Sequence, residues 1–318
     1  SLLIAVSCVS GCGKTSAAIE QPYDVYATAA DFGLSSNGTA EAKSYFASDL
    51  CVSEDVAIGT DSTDSQVAEG AGTFNLETNT VVYAKNLYER LYPASTTKIL
   101  TAYIALKYCD DLDAMVTVSE NAVNQASDSS VCNLKAGDVI RLRDLLYGLM
   151  LRSGNDAAVA IAEYISGDVD SFAALMNQEA AAMGATRSHF VNPNGLPDEN
   201  HYTCVYDMYL IFSNAIKNDT FVSIIGTTSY DVTYTDASGE AVTHTWENTN
   251  QYLTGNATTP DGFQIVGGKT GTTGEAGYCL VLYSYNPSGQ PIISIVFKAD
   301  GKSNLYLLMN EMLQGFAI

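Results

Sequence analysis

The sequence has few basic residues and no long hydrophobic run. Lysine and arginine together number 15 against 36 aspartates and glutamates, which gives a formal net charge of -21. This balance disfavours binding to nucleic acid or to anionic lipid, because both present negative charge. No apolar stretch approaches the roughly 18 residues that a membrane span needs. Any attachment to a membrane therefore has to come from a covalent lipid.

Histidine is scarce, and the cysteines are scattered along the chain. The 7 cysteines, at positions 8, 12, 51, 109, 132, 204 and 279, form no Cys-x-x-Cys pair and do not interleave with the 3 histidines. Zinc sites usually show such spacing, so the sequence predicts no metal site. Five cysteines follow position 12, an odd number, and we expect most of them to be buried small apolar residues.

Near the start of the chain, Cys8–Ala18 reads CVSGCGKTSAA and contains Gly-Lys-Thr, as a phosphate-binding loop does. That loop requires a glycine where Cys8 stands, so an NTPase is disfavoured. Val9-Ser10-Gly11-Cys12 instead resembles the lipobox of bacterial lipoproteins, in which the cysteine becomes lipidated after cleavage. We therefore interpret residues 1–12 as a partial lipoprotein signal and residues 13–70 as a spacer with an irregular lead-in.

From residue 71 onwards the hydrophobic pattern predicts strands at both ends of the chain and helices between them. Two strands are predicted within 71–86 and three more from residue 263. Apolar residues at three- and four-residue spacing predict helices over 95–108, 142–151, 156–165, 172–183 and 205–217, and a closing amphipathic segment over 305–316. We expect the two ends of the chain to share one sheet, with a helical insertion beside it.

A first candidate for chemistry is Ser95-Thr96-Thr97-Lys98, which follows Pro93 at a predicted helix start. Residues three apart share a helix face, so the Ser95 hydroxyl and the Lys98 amine can meet. A serine becomes a nucleophile when a base takes its proton, and a lysine of lowered pKa can be that base. The alternative is that Ser95 only caps the helix and Lys98 is a surface charge.

Two further motifs follow. Ser153-Gly154-Asn155 lies between two predicted helices, although Ser-x-Asn also occurs at residues 35–37 and 119–121 and is ordinary at a helix cap. Lys269-Thr270-Gly271 lies on a predicted strand whose edge can hold an extended peptide, with Lys269 facing a carboxylate. The alternative for that strand is a glycine-weakened element with an exposed lysine. The pleat places Lys269 and Gly271 on one face and Thr270 on the other.

Taken together, the three motifs resemble those of the penicillin-recognising serine enzymes. They occur in the same order, with 58 residues from 95 to 153 and 116 from 153 to 269. The flanking segments YPASTTKILTAYIAL, LMLRSGNDAAVAIAEYI, FVNPNGLPDENHYTCVYDM and GGKTGTTGEAGYCLVL resemble serine-type D-alanyl-D-alanine carboxypeptidases, the low-molecular-mass penicillin-binding proteins. The similarity extends from about residue 71 to the C-terminus.

The resemblance implies a β-lactamase/transpeptidase-like α/β (α+β) fold. This fold has a five-stranded antiparallel sheet flanked by helices and an all-helical subdomain, with residues 71–318 as the catalytic domain. Many family members carry a further β-rich domain at the C-terminus, and we expect none here. The implied location is outside the cytoplasm, at the outer face of the bacterial membrane or in the cell wall, with a lipid on Cys12 as anchor.

The resemblance also implies a role for each motif residue, without a cofactor. The implied catalytic residues are Ser95 as nucleophile, Lys98 as base, Ser153 as proton relay and Asn155 as an orienting group. The implied substrate-binding residues are Lys269, Thr270, Gly271 and Thr272, and the backbone N–H groups of Ser95 and Thr272 form the oxyanion hole. The implied substrate is a peptidoglycan stem peptide ending in D-Ala-D-Ala, and β-lactams are the implied inhibitors.

Two residues depart from the family pattern, and two alternative functions remain. The family usually has histidine where Asn194 stands and commonly where Thr272 stands, and either change can alter substrate preference. A class A β-lactamase needs a loop glutamate for its deacylating water, whereas residues 190–196 read FVNPNGL. A non-catalytic β-lactam receptor shares the three motifs but normally joins a transmembrane signalling part.

Overall fold

The computed structural model describes residues 47–318 of the chain. The lipobox and Cys12 therefore lie outside the described residues, as does most of the predicted spacer. Residues Asp49–Ile318 form one compact unit. Within the described residues, no helix combines the length and the hydropathy that a bilayer span requires.

The described chain contains nine strands and eight α-helices. The strands are β1 (Ala68–Asn75), β2 (Thr80–Lys85), β3 (Met115–Thr117), β4 (Val139–Arg141), β5 (Ser229–Thr235), β6 (Ala241–Glu247), β7 (Gln264–Thr273), β8 (Gly277–Tyr285) and β9 (Pro291–Ala299). The helices are α1 (Lys98–Tyr108), α2 (Glu120–Val123), α3 (Leu142–Tyr147), α4 (Asn155–Ser166), α5 (Val169–Ala182), α6 (Val205–Ala215), α7 (Asp219–Ile225) and α8 (Lys302–Phe316). Short 3-10 helices occupy Thr60–Ser62, Ser65–Val67 and Ala94–Thr97, and a π-helical turn occupies Gly148–Arg152.

The main sheet has five antiparallel strands in the order β2-β1-β9-β8-β7. Strand β1 pairs on one side with β2 and on the other with β9, where Ala71 lies opposite Val296. The prediction that both ends of the chain share one sheet is therefore confirmed. Strand β7, which carries the Lys-Thr-Gly motif, is paired on one side only and forms an edge of this sheet.

Helices cover both faces of the main sheet, so strands β8 and β9 are apolar at most positions. In β8, Cys279 and Val281 belong to the large core that the sheet shares with α1 and α6. Leu280 and Leu282 point the opposite way, into the smaller core under α8. Successive side chains of a strand point to opposite faces, and here both faces exclude water. The apolar run GYCLVLYSY therefore has no polar alternation.

The second part of the molecule is not purely helical, which differs from the predicted all-helical subdomain. It contains a four-stranded sheet in the order β3-β4-β5-β6 beside the helices. Strands β3 and β4 have only three residues each, too few for a periodic signal. Strands β5 and β6 do alternate: Val232, Tyr234 and Trp246 are buried while their neighbours are exposed. Their period-2 pattern was present in the sequence and could have predicted this hairpin.

The predicted helices all occur, with boundaries that differ by a few residues. The predicted segment 142–151 divides into α3 and the π-helical turn, which ends at Ser153 in the left-handed conformation (φ 61). The predicted segment 95–108 begins as a 3-10 turn and becomes α-helical at Lys98. Both irregularities fall on the sequence motifs.

Candidate active site

The nucleophile candidate Ser95 lies in the 3-10 turn Ala94–Thr97. Ala94 opens this turn with a positive φ of 47, which is uncommon for a residue with a side chain and indicates local strain. Side chains three residues apart nearly eclipse in a 3-10 turn. This geometry brings Lys98 Nζ to 2.9 Å from Ser95 Oγ. The pairing predicted from the Ser-x-x-Lys spacing is therefore present.

The amine of Lys98 is fully buried and has three oxygen partners. Besides Ser95 Oγ, these are Asn155 Oδ1 at 2.7 Å and the backbone carbonyl oxygen of Asn194 at 2.7 Å. Burial, followed by the positive charge of Lys269, holds the pKa of Lys98 well below its usual value. The surroundings therefore favour a neutral amine, which is a base.

The Ser153-Gly154-Asn155 segment is the junction between the π-helical turn and α4. Such π-helical turns are rare overall, and those that occur are often at functional sites. Here the turn ends at Ser153, whose hydroxyl accepts a hydrogen bond of 3.0 Å from Lys269 Nζ. Asn155 begins α4 and directs its amide oxygen to Lys98. One segment thus contacts both motif lysines.

Strand β7 brings the third motif against the other two. Lys269 is buried, and its Nζ also donates to the carbonyl oxygen of Thr270 at 2.9 Å. Burial lowers the pKa of Lys269 to about 7. The strand passes so close to the nucleophile turn that a Cβ on Gly271 would lie 2.9 Å from Ser95 N. The hydroxyl of Thr270 forms a 2.6 Å hydrogen bond with Thr249 Oγ1.

Two openings have Ser95 in their walls. The larger has a volume of about 1000 Å³ and is lined by Ser95, Asn155, Asn194 and Thr272, among others. The smaller, of about 230 Å³, is lined by Ser95, Ser130, Ser153, Thr249, Thr270, Gly271 and Thr272. All eight predicted catalytic and substrate-binding residues therefore line these openings or bond to residues that do. Cys12, the predicted lipidation site, lies outside the described residues.

Sequence reasoning missed three contributors to the site. Asn194 acts through its backbone carbonyl, which carries no signature in a sequence. Its side chain instead accepts a hydrogen bond from Leu196 N, so the departure from the family's histidine leaves the Lys98 contact in place. Thr249 and Ser130 lie in irregular segments without periodicity. No local signal pointed to either of them.

The segment that provides the Asn194 carbonyl is attached to the nucleophile turn. Thr101 Oγ1 donates to Pro193 O at 2.7 Å. His201 is buried, accepts from Val191 N at 3.2 Å and lies 2.9 Å from Thr97 Oγ1. Burial lowers the pKa of His201 to about 4, so the ring is neutral near pH 7 and fits a donor on one nitrogen and an acceptor on the other.

Within residues 47–318, no cysteine side chain forms a hydrogen bond with a side chain of the three motifs. The five described cysteines are free, and all but Cys109 are buried, which confirms the expectation for most of them. Burial raises the pKa of Cys279, beside the nucleophile turn, to about 12. Among residues 47–318, no group of three or more histidine, cysteine, aspartate or glutamate side chains is arranged to hold a metal ion.

Comparison with known sequences gives a family match across this fold. The model of the family described as D-alanyl-D-alanine carboxypeptidase, Peptidase_S11, matches residues 59–301. D-alanyl-D-alanine carboxypeptidase DacF of Bacillus subtilis is 34% identical over 251 residues, which are 77% of this chain and 61% of DacF. The D-alanyl-D-alanine carboxypeptidase of Streptomyces sp. strain K15 is 34% identical over 265 residues, 79% of this chain and 88% of that protein. The chain thus spans about three fifths of DacF and most of the Streptomyces protein.

Solved structures give the same result for the fold. The crystal structure of the Streptomyces K15 DD-transpeptidase superposes with a TM-score of 0.73 at 33% identity, covering 79% of this chain and 98% of that one. The D-alanyl-D-alanine carboxypeptidase DacD from Francisella tularensis superposes with a TM-score of 0.69 at 28% identity, covering 84% of this chain and 72% of that one. The predicted transpeptidase-like fold is therefore confirmed.

Replacing Gly195 with alanine is expected to damage the site and the fold together. Gly195 has a φ of +87, and an added Cβ would collide with the Ala94 carbonyl at the start of the nucleophile turn. We expect a loss of about 3 kcal/mol in the free energy of unfolding from overpacking and strain. Chemical denaturation of Gly195→Ala measures it.

Gly239→Ala is the matched control, because Gly239 has a φ of +90 but open space around its Cβ position. It carries only the cost of the left-handed conformation, about 1 kcal/mol. Equal losses in the two variants would show that the contact between Gly195 and Ala94 contributes nothing to stability.

Proposed function

The chain belongs to the D-alanyl-D-alanine carboxypeptidase family, Peptidase_S11, and we propose that it removes the terminal D-alanine from peptidoglycan stem peptides through an acyl-enzyme on Ser95. The observation that carries this proposal is the meeting of two serine–lysine pairs in one cleft. Lys98 lies 2.9 Å from Ser95 Oγ, and Lys269 lies 3.0 Å from Ser153 Oγ. The first pair suits nucleophilic attack, and the second suits proton delivery and anion binding.

The hydrogen bonds around Lys98 support its role as the base. A neutral amine has two N–H donors and one lone pair. Two of its three partners, Asn155 Oδ1 and the Asn194 carbonyl, can only accept, so they take the two N–H groups. The lone pair is then left for the Ser95 hydroxyl, which can donate. In this arrangement Lys98 takes the proton as Ser95 Oγ attacks the carbonyl carbon between the two D-alanines.

Charge then develops on the substrate's carbonyl oxygen, which the backbone N–H groups of Ser95 and Thr272 would stabilise. Support comes from the close approach of β7 to Ser95 N and from the position of both residues on the cleft wall. As the peptide bond breaks, Ser153 relays the proton that Lys98 took from Ser95 to the leaving nitrogen, and D-alanine departs. Water then gives a proton to Lys98 as its oxygen attacks the ester on Ser95. That proton returns to Ser95 Oγ, and the shortened peptide leaves with a new carboxyl group.

Lys269 and Thr270 are proposed to bind the terminal carboxylate of the substrate. Lys269 is a buried cation with a serine and a carbonyl as its partners, so a carboxylate would supply the missing opposite charge. Thr270 lines the smaller opening, where its hydroxyl bonds to Thr249. A β-lactam has a similar carboxylate and an amide in a strained ring, and we propose that it acylates Ser95 in the same way.

The alternative functions are less well supported. A class A β-lactamase needs a carboxylate to activate the deacylating water, whereas the segment that reaches Lys98 offers the Asn194 carbonyl. A non-catalytic β-lactam receptor shares the three motifs, so the release of D-alanine is what separates it from the proposed enzyme. The acceptor of the acyl group is a separate question, because the Streptomyces K15 protein is named both a carboxypeptidase and a DD-transpeptidase. Water is the acceptor we propose.

We further propose that residues 71–318 form the catalytic domain and that the protein works outside the cytoplasm, held to the membrane by a lipid on Cys12. The support is the lipobox-like Val9-Ser10-Gly11-Cys12 and a substrate class found outside the membrane. The net charge of -21 argues against electrostatic attachment to anionic lipid and against nucleic acid as a partner.

Incubation with benzylpenicillin tests the nucleophile. Intact-mass measurement is expected to show one covalent adduct, mapped to Ser95 by peptide digestion, and none on Ser95→Ala because the attacking hydroxyl is gone. Ser238→Ala, in the exposed β5–β6 turn, is the control and should form the adduct normally. Release of D-alanine from a D-Ala-D-Ala peptide is expected in parallel. An adduct without D-alanine release would favour the receptor, and rapid return of the free enzyme with hydrolysed penicillin would favour the β-lactamase.

The pH dependence of kcat/KM tests the charge on Lys269. Binding of the substrate's carboxylate needs the protonated form of Lys269. This form is present below the pKa of about 7 and is lost as the pH rises through that value. We expect kcat/KM for the peptide to fall about tenfold per pH unit above that value. Lys269→Arg keeps its charge and should lose this alkaline fall, whereas Lys107→Arg, on the surface, should retain it. An unchanged alkaline limb in Lys269→Arg would refute this role for Lys269.

Metabolic labelling with a fatty acid in a bacterial host tests the anchor. The full-length protein is expected to carry the label, and Cys12→Ala is expected to lose it because the acceptor thiol is removed. Cys8→Ala, four residues away, is the matched control and should remain labelled. Label retained by Cys12→Ala would contradict the proposed site.

A further inference from the structure

The carboxylate of Asp156 is almost completely buried beside the active site, and the proposed chemistry does not use it. It accepts hydrogen bonds from the backbone N–H groups of Cys132 (2.9 Å to each oxygen), Leu134 (3.1 Å) and Ala157 (2.9 Å). Ala157 is its neighbour in α4, but the other two donors lie more than 20 residues earlier in the chain. Asp156 therefore joins the start of α4 to a distant loop.

That loop holds an uncommon backbone conformation at the point where Asp156 binds it. Asn133, between the two donors, has a positive φ of 64. Backbone N–H groups around such a residue converge into a concave anion-binding arrangement, called a nest. A left-handed residue other than glycine has a conformational cost, so the surroundings must stabilise it. Here the carboxylate of Asp156 occupies the nest and supplies that stabilisation.

The same loop contacts the motif Ser153-Gly154-Asn155. The carbonyl oxygen of Ser130 accepts a 2.8 Å hydrogen bond from Asn155 N, and Ser130 lines both openings to Ser95. There is no room for a side chain on Gly154, because a Cβ would collide with Cys132 Sγ and lie 2.8 Å from Asp156 Oδ1. The loop is thus packed directly behind the turn that directs Asn155 Oδ1 to Lys98.

We propose that Asp156 is a positioning residue: by binding the nest around Asn133, it fixes the 129–134 loop against the Ser153-Gly154-Asn155 turn and so sets the orientation of Asn155 toward Lys98. This inference rests on the proposed function, because it assigns Asp156 a part in the acylation of Ser95. Asp156 does not touch the substrate in this proposal. It acts through Asn155 and through the cleft wall at Ser130.

Asp156 also acts on Lys98 through its charge. Four groups from different elements influence or face Lys98: Lys269 on β7, His201 on the chain before α6, Cys132 on the loop and Asp156 on α4. Of these, Lys269 lowers the pKa of Lys98, while Cys132 and Asp156 raise it. Removing the charge of Asp156 therefore lowers the pKa of Lys98 further. Because the neutral amine is the base, the acidic limb of the acylation rate should move to lower pH.

The test is the rate of Ser95 acylation by benzylpenicillin, followed by stopped-flow kinetics across a range of pH. Asp156→Asn keeps the size of the side chain but leaves at least one buried backbone N–H without an acceptor. We expect the limiting acylation rate constant to fall at least about tenfold, with little change in the affinity of the initial complex. We also expect the acidic limb to move to lower pH. Asp156→Glu, which keeps the charge but changes the reach, should lose rate while its limb stays in place.

Asp144→Asn is the matched control. Asp144 is a fully buried carboxylate on α3 that binds Arg141 at 2.8 Å and Tyr230 at 2.6 Å, and none of these three residues lines the openings to Ser95. We expect it to lose thermal stability while keeping the wild-type acylation rate constant and acidic limb. If Asp156→Asn behaves in the same way, its role is structural and the proposal is wrong.

A pair of loop variants keeps the proposal testable if Asp156→Asn does not fold. Asn133→Ala disfavours the left-handed conformation of the nest and should slow acylation, whereas Asn133→Gly adopts it freely and should not. Equal acylation rates in these two variants would overturn the proposal. The two levels of failure are distinct: a wild-type protein that forms no adduct contradicts the proposed function, and a normal rate in Asp156→Asn contradicts only this inference.

Discussion

The active site depends on the burial of one lysine amine among three oxygens. Lys98 Nζ is bonded to Ser95 Oγ, Asn155 Oδ1 and the Asn194 carbonyl. These oxygens come from the nucleophile turn, from the start of α4 and from the segment before α6. Burying the charged form here would be costly without an opposite charge, and none of the three oxygens belongs to a carboxylate. Three separate parts of the chain are therefore held together around a group that is more stable when it is neutral.

The second buried lysine of the site, Lys269, affects the charge on Lys98. Lys269 lies behind Ser153, and its positive charge lowers the pKa of Lys98 further. Two adjacent buried amines cannot both carry a charge at little cost, so the charge resides on one of them. In the proposed mechanism the charge resides on Lys269, whose partners are the Ser153 hydroxyl and the Thr270 carbonyl at the smaller opening. A bound carboxylate would then stabilise the cation at Lys269 and leave the amine at Lys98 available for proton transfer.

The side-chain contacts of the site were predictable from the sequence, whereas its backbone contributions were not. The spacing of Ser95 and Lys98 predicts their contact, and the order of the three motifs predicts that they meet. The carbonyl of Asn194 could not be predicted, because every residue has one and only the path of the chain selects it. The same holds for the nest around Asn133, which depends on one φ angle. In the fold, the five-stranded sheet followed from the apolar runs at both ends of the chain, whereas β3 and β4 are too short to leave a pattern.

The pairing of β1 with β9 has a consequence for the order of folding. Ala71 lies opposite Val296, so at the centre of the main sheet the first strand of the described residues pairs with the last one. Closing so long a loop has an entropic cost that is recovered only when the whole sheet forms. Among the strands described, β7 pairs only with β8, and β8 in turn pairs with the central strand β9. A chain still emerging from the ribosome would therefore contain Ser95 and Lys98 long before the strand beside them had a sheet to join. Catalytic competence would arise late and all at once, after the C-terminal strands are complete.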